Sequence, residues 1–245
     1  VSRRRLALAI VVLAIACAPA HAQAPDILVV GAFSGATPGG TLPEGWSTLN
    51  FPSVARHTRY TLVAEPSRGT TIEAVAQASA SGLVRRIDID PRAWTRLAWS
   101  WKATALIERG DVTRKDGDDY AARLYVTFRL PPGRMSPLER AELRMARALI
   151  GDHVPDAGLS YIWDARAPVG TIVANAYTDR VKMIVVESGR ERLGRWIDYE
   201  RDLAADWRAA FGGDIPPISG IAIMTDADNT GESARTFYGD ILLKR

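Results

Sequence analysis

Cysteine is nearly missing from this chain: among 245 residues there is one, Cys17. Once a leader containing it is removed, no disulfide, thiolate metal ligand or cysteine nucleophile remains. Histidine is almost as scarce. His21 lies in the same stretch as Cys17, and His57 and His153 each stand alone with no partner at ligand spacing. A zinc site and a Ser-His-Asp arrangement therefore have little to build on. The serine elbow of hydrolases is missing too, because neither Ser34 nor Ser160 stands in a Gly-x-Ser-x-Gly setting. There is no glycine-rich phosphate loop. After residue 16 no apolar run approaches the roughly 18 to 20 residues that a membrane span needs.

What the N-terminus does contain is an export signal. Ser2-Arg3-Arg4-Arg5 is a basic start, residues 6–16 are uninterruptedly apolar, and Ala20-His21-Ala22 offers small residues around a cleavage point. We read residues 1–22 as a secretory signal peptide and 23–245 as one domain, expected to be periplasmic or secreted. Acylation of Cys17, following Ala14-Ile15-Ala16, is the alternative and would give a lipid anchor. Without Arg3, Arg4 and Arg5, the 31 Lys plus Arg fall to 28 against 28 Asp plus Glu. The basic surplus belongs to the leader, and with it goes the electrostatic footprint of a nucleic-acid binder.

The remainder reads as strand after strand. Runs at residues 27–33, 60–64, 71–80, 83–89, 95–103, 121–130, 159–163, 171–176 and 181–187 alternate or are β-branched, with Gly, Pro and Asp turns between them. In the fifth, Leu97, Trp99, Trp101 and Ala103 share one face, either a core layer or an aromatic platform. In the sixth, Leu124, Val126, Phe128 and Leu130 face a core while Arg123, Tyr125, Thr127 and Arg129 form a polar stripe. Trp46, just after a turn, is expected to plug the core.

Two helices interrupt the strands. One opens at Ser136-Pro137-Leu138-Glu139 and is expected to run to Ile150; the other spans residues 200–211 and is capped by Gly212-Gly213. The chain closes as strand, acidic loop and strand, with Asp226-Ala227-Asp228-Asn229-Thr230-Gly231 as the loop and Tyr238-Gly239-Asp240-Ile241 in the last strand. About ten strands with two peripheral helices favour a mainly β, antiparallel two-sheet sandwich. The aspartates of the loop alternate as calcium ligands do, although Phe237 stands where an EF-hand needs its last glutamate. Asp116, Asp118 and Asp119 form a second acidic cluster.

Leu42-Pro43-Glu44-Gly45-Trp46, Leu97-Ala98-Trp99-Ser100-Trp101-Lys102 and Gly117-Asp118-Asp119-Tyr120 carry a resemblance, together with Tyr161-Ile162-Trp163, Glu200-Arg201-Asp202-Leu203, Phe211-Gly212, the acidic loop and Tyr238-Gly239-Asp240-Ile241. In this order the chain resembles a bacterial exported family, domain of unknown function 3047. Its ending is also similar to the closing strands of galactose-binding-like jelly rolls found in carbohydrate-binding modules. That second likeness implies a jelly roll, a structural calcium on Asp240 of the last strand, which Asp228 of the acidic loop would join, and a concave face that binds glycans. The expectation is a non-catalytic binding domain for a carbohydrate or other polar envelope ligand, using Trp101, Asp119, Arg123, Tyr125, Trp163 and Asp226. The alternatives are an envelope glycan hydrolase acting through Asp119 and Asp226, and a module that binds an envelope protein.

Overall fold

The computed structural model describes residues 26–151 and 154–245. The expected leader, Cys17 and His153 lie outside the described residues. In chain order the elements are β1 (Ile27–Gly31), β2 (Trp46–Leu49), β3 (Arg59–Glu65), β4 (Gly69–Gln77), β5 (Gly82–Ile89), β6 (Arg96–Ala103) and β7 (Arg123–Phe128). There follow α1 (Pro137–Ile150), β8 (Ala157–Asp164), β9 (Ile172–Asn175), β10 (Thr178–Ser188), β11 (Ile197–Asp202), α2 (Leu203–Phe211), β12 (Ile218–Met224) and β13 (Ser233–Lys244).

The strands form two sheets that face each other. One has the order β11-β6-β13-β4-β3, with β1 taking the edge of β13 where β4 leaves it; the other runs β2-β5-β12-β7-β8-β10-β9. All described pairs are antiparallel except β8 with β10, which is parallel. The reason is local: β9 occupies the outer edge, and its hairpin returns β10 into the gap beside β8.

Alternation fills the space between the sheets. Leu97, Trp99, Trp101 and Ala103 of β6 meet Leu124, Val126 and Phe128 of β7 and Leu159, Tyr161 and Trp163 of β8. Trp99 lies nearly parallel to Tyr199, with ring centroids 4.9 Å apart, and its ring also packs on Trp101 and Tyr161. Burying each such side chain contributes on the order of 2 kcal/mol. Trp46 is core as expected, with its ring on Phe33 and its Nε1 donating to the Val30 carbonyl. β10 is apolar on both sides because it serves two cores. Ile184 and Val186 face the other sheet, while Met183 and Val185 join Ile162, Tyr120 and Val112 in a small cluster on the outer face.

α1 has the expected bounds and a full capping box between Ser136 and Glu139. α2 begins later than its apolar spacing suggests. Glu200, Arg201 and Asp202 pair with Ala98, Leu97 and Arg96 as the end of β11, and Asp202 then caps the helix by accepting from the Ala205 amide at 2.9 Å.

Candidate functional site

Residues that point away from the core on the seven-stranded sheet make a trough. Across its centre the register aligns Arg123 with Met224 and Ile162, Tyr125 with Ala222 and Ser160, and Thr127 with Gly220 and Gly158. Small neighbours on both sides of Tyr125 and Thr127 leave these two side chains standing over a low floor. Gly220 has no room for more, since a Cβ there would lie 2.9 Å from Thr127 Oγ1.

The upper part of this trough is a cleft of about 710 Å³. Phe51, Val54, Ala80, Val181 and Met224 supply apolar wall; Asp118, Arg123, Tyr125, Asn175, Tyr177, Asp226, Asp228 and Asn229 supply polar groups. Three segments converge to build it. The β9–β10 turn presents Asn175 and Tyr177, the segment before β7 presents Asp118, and the acidic loop after β12 presents Asp228 and Asn229.

Arg123 holds these segments together. Its Nε donates to Asp226 Oδ1 at 3.1 Å, one terminal nitrogen lies 2.7 Å from Asp226 Oδ2 and also donates to the Asp118 carbonyl, and the other donates to the Tyr125 hydroxyl at 2.8 Å. The guanidinium lies 4.1 Å from the centre of the Tyr120 ring. Asp119 braces the loop, accepting from the Thr230 amide at 2.6 Å and from Asn229 Nδ2 at 3.1 Å. Asn175 Nδ2 donates to both oxygens of Asp118, and the Tyr177 hydroxyl donates to Asn229 Oδ1 at 2.9 Å.

Charge here is lopsided. Asp118, Asp119, Asp226 and Asp228 surround Arg123. Burial pushes the Asp226 carboxyl well up, and Asp119 and Asp118 push the same way against the pull of Arg123. Desolvation and Asp119 likewise raise Asp228. Burial raises the Tyr125 hydroxyl, so it stays a neutral donor and acceptor.

Of the residues expected to bind ligand, Arg123, Tyr125 and Asp226 line the cleft. Trp101 and Trp163 do not. Both lie between the sheets, 0% and 1% exposed, because their strands point odd-numbered residues inward. Asp119 is buried behind the loop with both oxygens occupied. The polar cleft residues that sequence reasoning missed are Asn175 and Tyr177. Asn175 is the start of a side-chain turn, accepting from the Tyr177 amide at 3.0 Å, and Asn-x-Tyr between two strands is the signal that points to it.

The residues do not fit a calcium cage. Oxygens of Asp119, Asp226 and Asp228 do lie within 4.8 Å of one another, but the guanidinium of Arg123 already bridges Asp226. Asp240 is outside that group: it accepts from the Ser34 amide at 2.8 Å and from the Ser34 hydroxyl at 2.5 Å, tying the chain after β1 to the closing strand. The same commitments bear on hydrolysis, since Asp119 and Asp226 both have their oxygens engaged by protein donors.

Fold and cleft define a class, a jelly-roll β-sandwich with a polar trough on one outer face. The sequence matches the family described as "Protein of unknown function (DUF3047)" over residues 44–242, and the chain belongs to that family. No curated protein matches the chain. Among solved structures it is similar to the family 11 carbohydrate-binding module of a cellulosomal cellulase of Clostridium thermocellum, at 13% identity and a TM-score of 0.46, covering 91% of this chain and 96% of that one. A second structure of the family 11 module from that organism, in complex with a β-1,3-1,4-mixed-linked tetrasaccharide, matches at 14% identity and a TM-score of 0.43, covering 91% and 97%. Both are likenesses of architecture. No helix among the described residues is long and apolar enough to cross a membrane.

Proposed function

We propose that the protein is a binding domain for a carbohydrate or other polar ligand held in the cleft over β7, and that it works outside the cytoplasm, as the leader-like N-terminus suggests. The observation that carries this reading is the composition of the cleft wall. Tyr125 and Tyr177 offer ring surface, Phe51, Val181 and Met224 offer apolar contact, and Asn175, Asn229, Asp118 and Asp228 offer directed donors and acceptors. Sugars need both kinds of contact, because their rings have apolar faces and hydroxyl rims.

Titration calorimetry against a panel of neutral and acidic oligosaccharides tests it. Saturable binding is expected, weakened roughly tenfold by Tyr177→Ala through loss of ring contact. Tyr177 is 56% exposed, so that variant should keep the melting temperature of the parent. If no oligosaccharide binds, or if Tyr177→Ala and Asn175→Ala both bind like the parent, the reading is wrong.

A further inference from the structure

The trough does not end at the cleft. Two residues beyond Tyr125, roughly 7 Å along an extended strand, Thr127 opens a second cavity of about 270 Å³ on the same outer face. Its lining includes Arg86, Arg129, Arg147, Thr127, Ser219 and Gly220. Arg86 stands beside Gly220 in register, so no side chain separates its guanidinium from Thr127 across β12.

The charges of this cavity are the reverse of those in the cleft. Three guanidiniums share one lining carboxylate, Asp156, which already accepts from Arg147 at 3.0 Å and from the Leu130 amide at 2.8 Å. Arg129 pairs with Asp88 at 2.6 Å, where both side chains are more than half exposed; screening makes such a pair easy to open. Arg86 is exposed and has no hydrogen-bond or ion-pair partner among the described residues. The hydroxyls of Thr127 and Ser219 lie 3.0 Å apart, with Thr127 Oγ1 also 3.2 Å from the Gly220 carbonyl, and make the floor polar.

From this we infer that the second cavity is an anion subsite, and that the ligand is a polymer with carboxylate or sulfate groups, one of which sits between Arg86, Arg129 and Thr127. The inference rests on the cleft reading and extends it. Charge sets the orientation: in the cleft the one lining guanidinium, Arg123, is already taken up by Asp226 and Asp118 and offers an anionic group nothing free, while guanidiniums attract it two residues away. A neutral sugar unit therefore lies over Tyr125 and an acidic one over Thr127.

The test compares charged polymers with uncharged counterparts: polygalacturonate against its fully methyl-esterified form, and dextran sulfate against dextran. Tighter binding of the charged member, weakened by salt and reduced roughly threefold to tenfold by Arg86→Gln, is expected; which pair shows the difference tells carboxylate from sulfate. Arg59→Gln, an exposed change on β3 of the other sheet, should leave affinity unmoved. Equal binding of charged and neutral polymers overturns the subsite and leaves the cleft reading intact, as does an equal loss with Arg59→Gln and Arg86→Gln. Charged binding that Tyr177→Ala does not weaken supports the subsite and sinks the cleft. Binding of neither charged nor neutral polymers sinks both.

Discussion

The two outer faces of the sandwich treat charge in opposite ways. On the six-stranded sheet most charges have an opposite beside them. Arg68 holds Asp198 through two bonds, Lys102 holds Glu65 at 2.6 Å, Arg235 pairs with Glu73, and Lys244 reaches Glu200 at 2.8 Å. The cations also lie over rings, Arg68 and Lys102 at 5.2 Å from Trp196 and Lys102 at 4.7 Å from Phe237. Asp198 and Glu65 are accordingly held below the usual carboxylate range by their partners. On the seven-stranded sheet the sign flips: carboxylates crowd one end, guanidiniums the other, and Asp226 and Asp228 are pushed up. A face that neutralises itself has little left to offer a ligand. One that leaves donors, acceptors and charge unbalanced gives a ligand something to complete.

Removing one paired cation from each face sharpens the contrast most. Arg123→Ala strands Asp226 in the interior without its partner, an effect of about 3–5 kcal/mol, and releases Tyr125 and the 118–119 segment with it. Arg68→Ala removes a pair whose aspartate is 67% exposed, and should change stability by less than about 1 kcal/mol. Denaturant unfolding of both variants measures the difference. Similar losses would mean that Arg123 is not the brace of the cleft and that the two faces are energetically alike.

The arrangement of strands was largely legible because a period of two forces it. On β6 and β7 the choice of core residues follows from alternation alone, and the Ser136 capping box places a helix start to the residue. Pairing order was less accessible. Nothing local in residues 172–188 says that β10 slips between β8 and β9, and nothing in Glu200-Arg201-Asp202 says that sheet pairing outcompetes helix propensity. For the site, the polar stripe of β7 was visible, and Arg123 and Tyr125 with it. Trp101 and Trp163 misled because an aromatic residue on a strand looks the same facing a core or a ligand. Asp240 misled for a related reason: a carboxylate that clamps Ser34 and one that holds a metal share a residue type, and only the fold says what stands opposite.

A smaller effect separates the faces by pH. Asp228 has its native pKa raised above the usual Asp value of about 3.9, so the native state holds that proton more tightly than the unfolded chain does. Its contribution is complete below the unfolded value and is lost as pH rises through the native one. Asp198 is depressed and behaves inversely, contributing above the unfolded value and failing as pH falls through the native one. Asp228→Asn should therefore gain on the parent in melting temperature from pH 4 to pH 8. Asp198→Asn should fall behind in a more acid interval, as pH rises from the depressed native value to about 5, and hold a constant gap to the parent above it. Parallel curves for the two variants would erase the electrostatic distinction between the faces.

Smallest of all is the expected response to calcium. The acidic loop has oxygens in number, but number is not the requirement. A calcium cage needs oxygens free to turn toward the ion, and here Arg123 bridges Asp226 while backbone and amide donors hold Asp119. A ligand that binds only the native state raises the melting temperature; millimolar calcium and excess chelator should each leave it within about 1 °C of the untreated protein. Were calcium to raise it by several degrees, the guanidinium would have to yield its place on Asp226. Arg123→Ala would then bind the ion more tightly than the parent, and the crowded end of the trough would be a metal site.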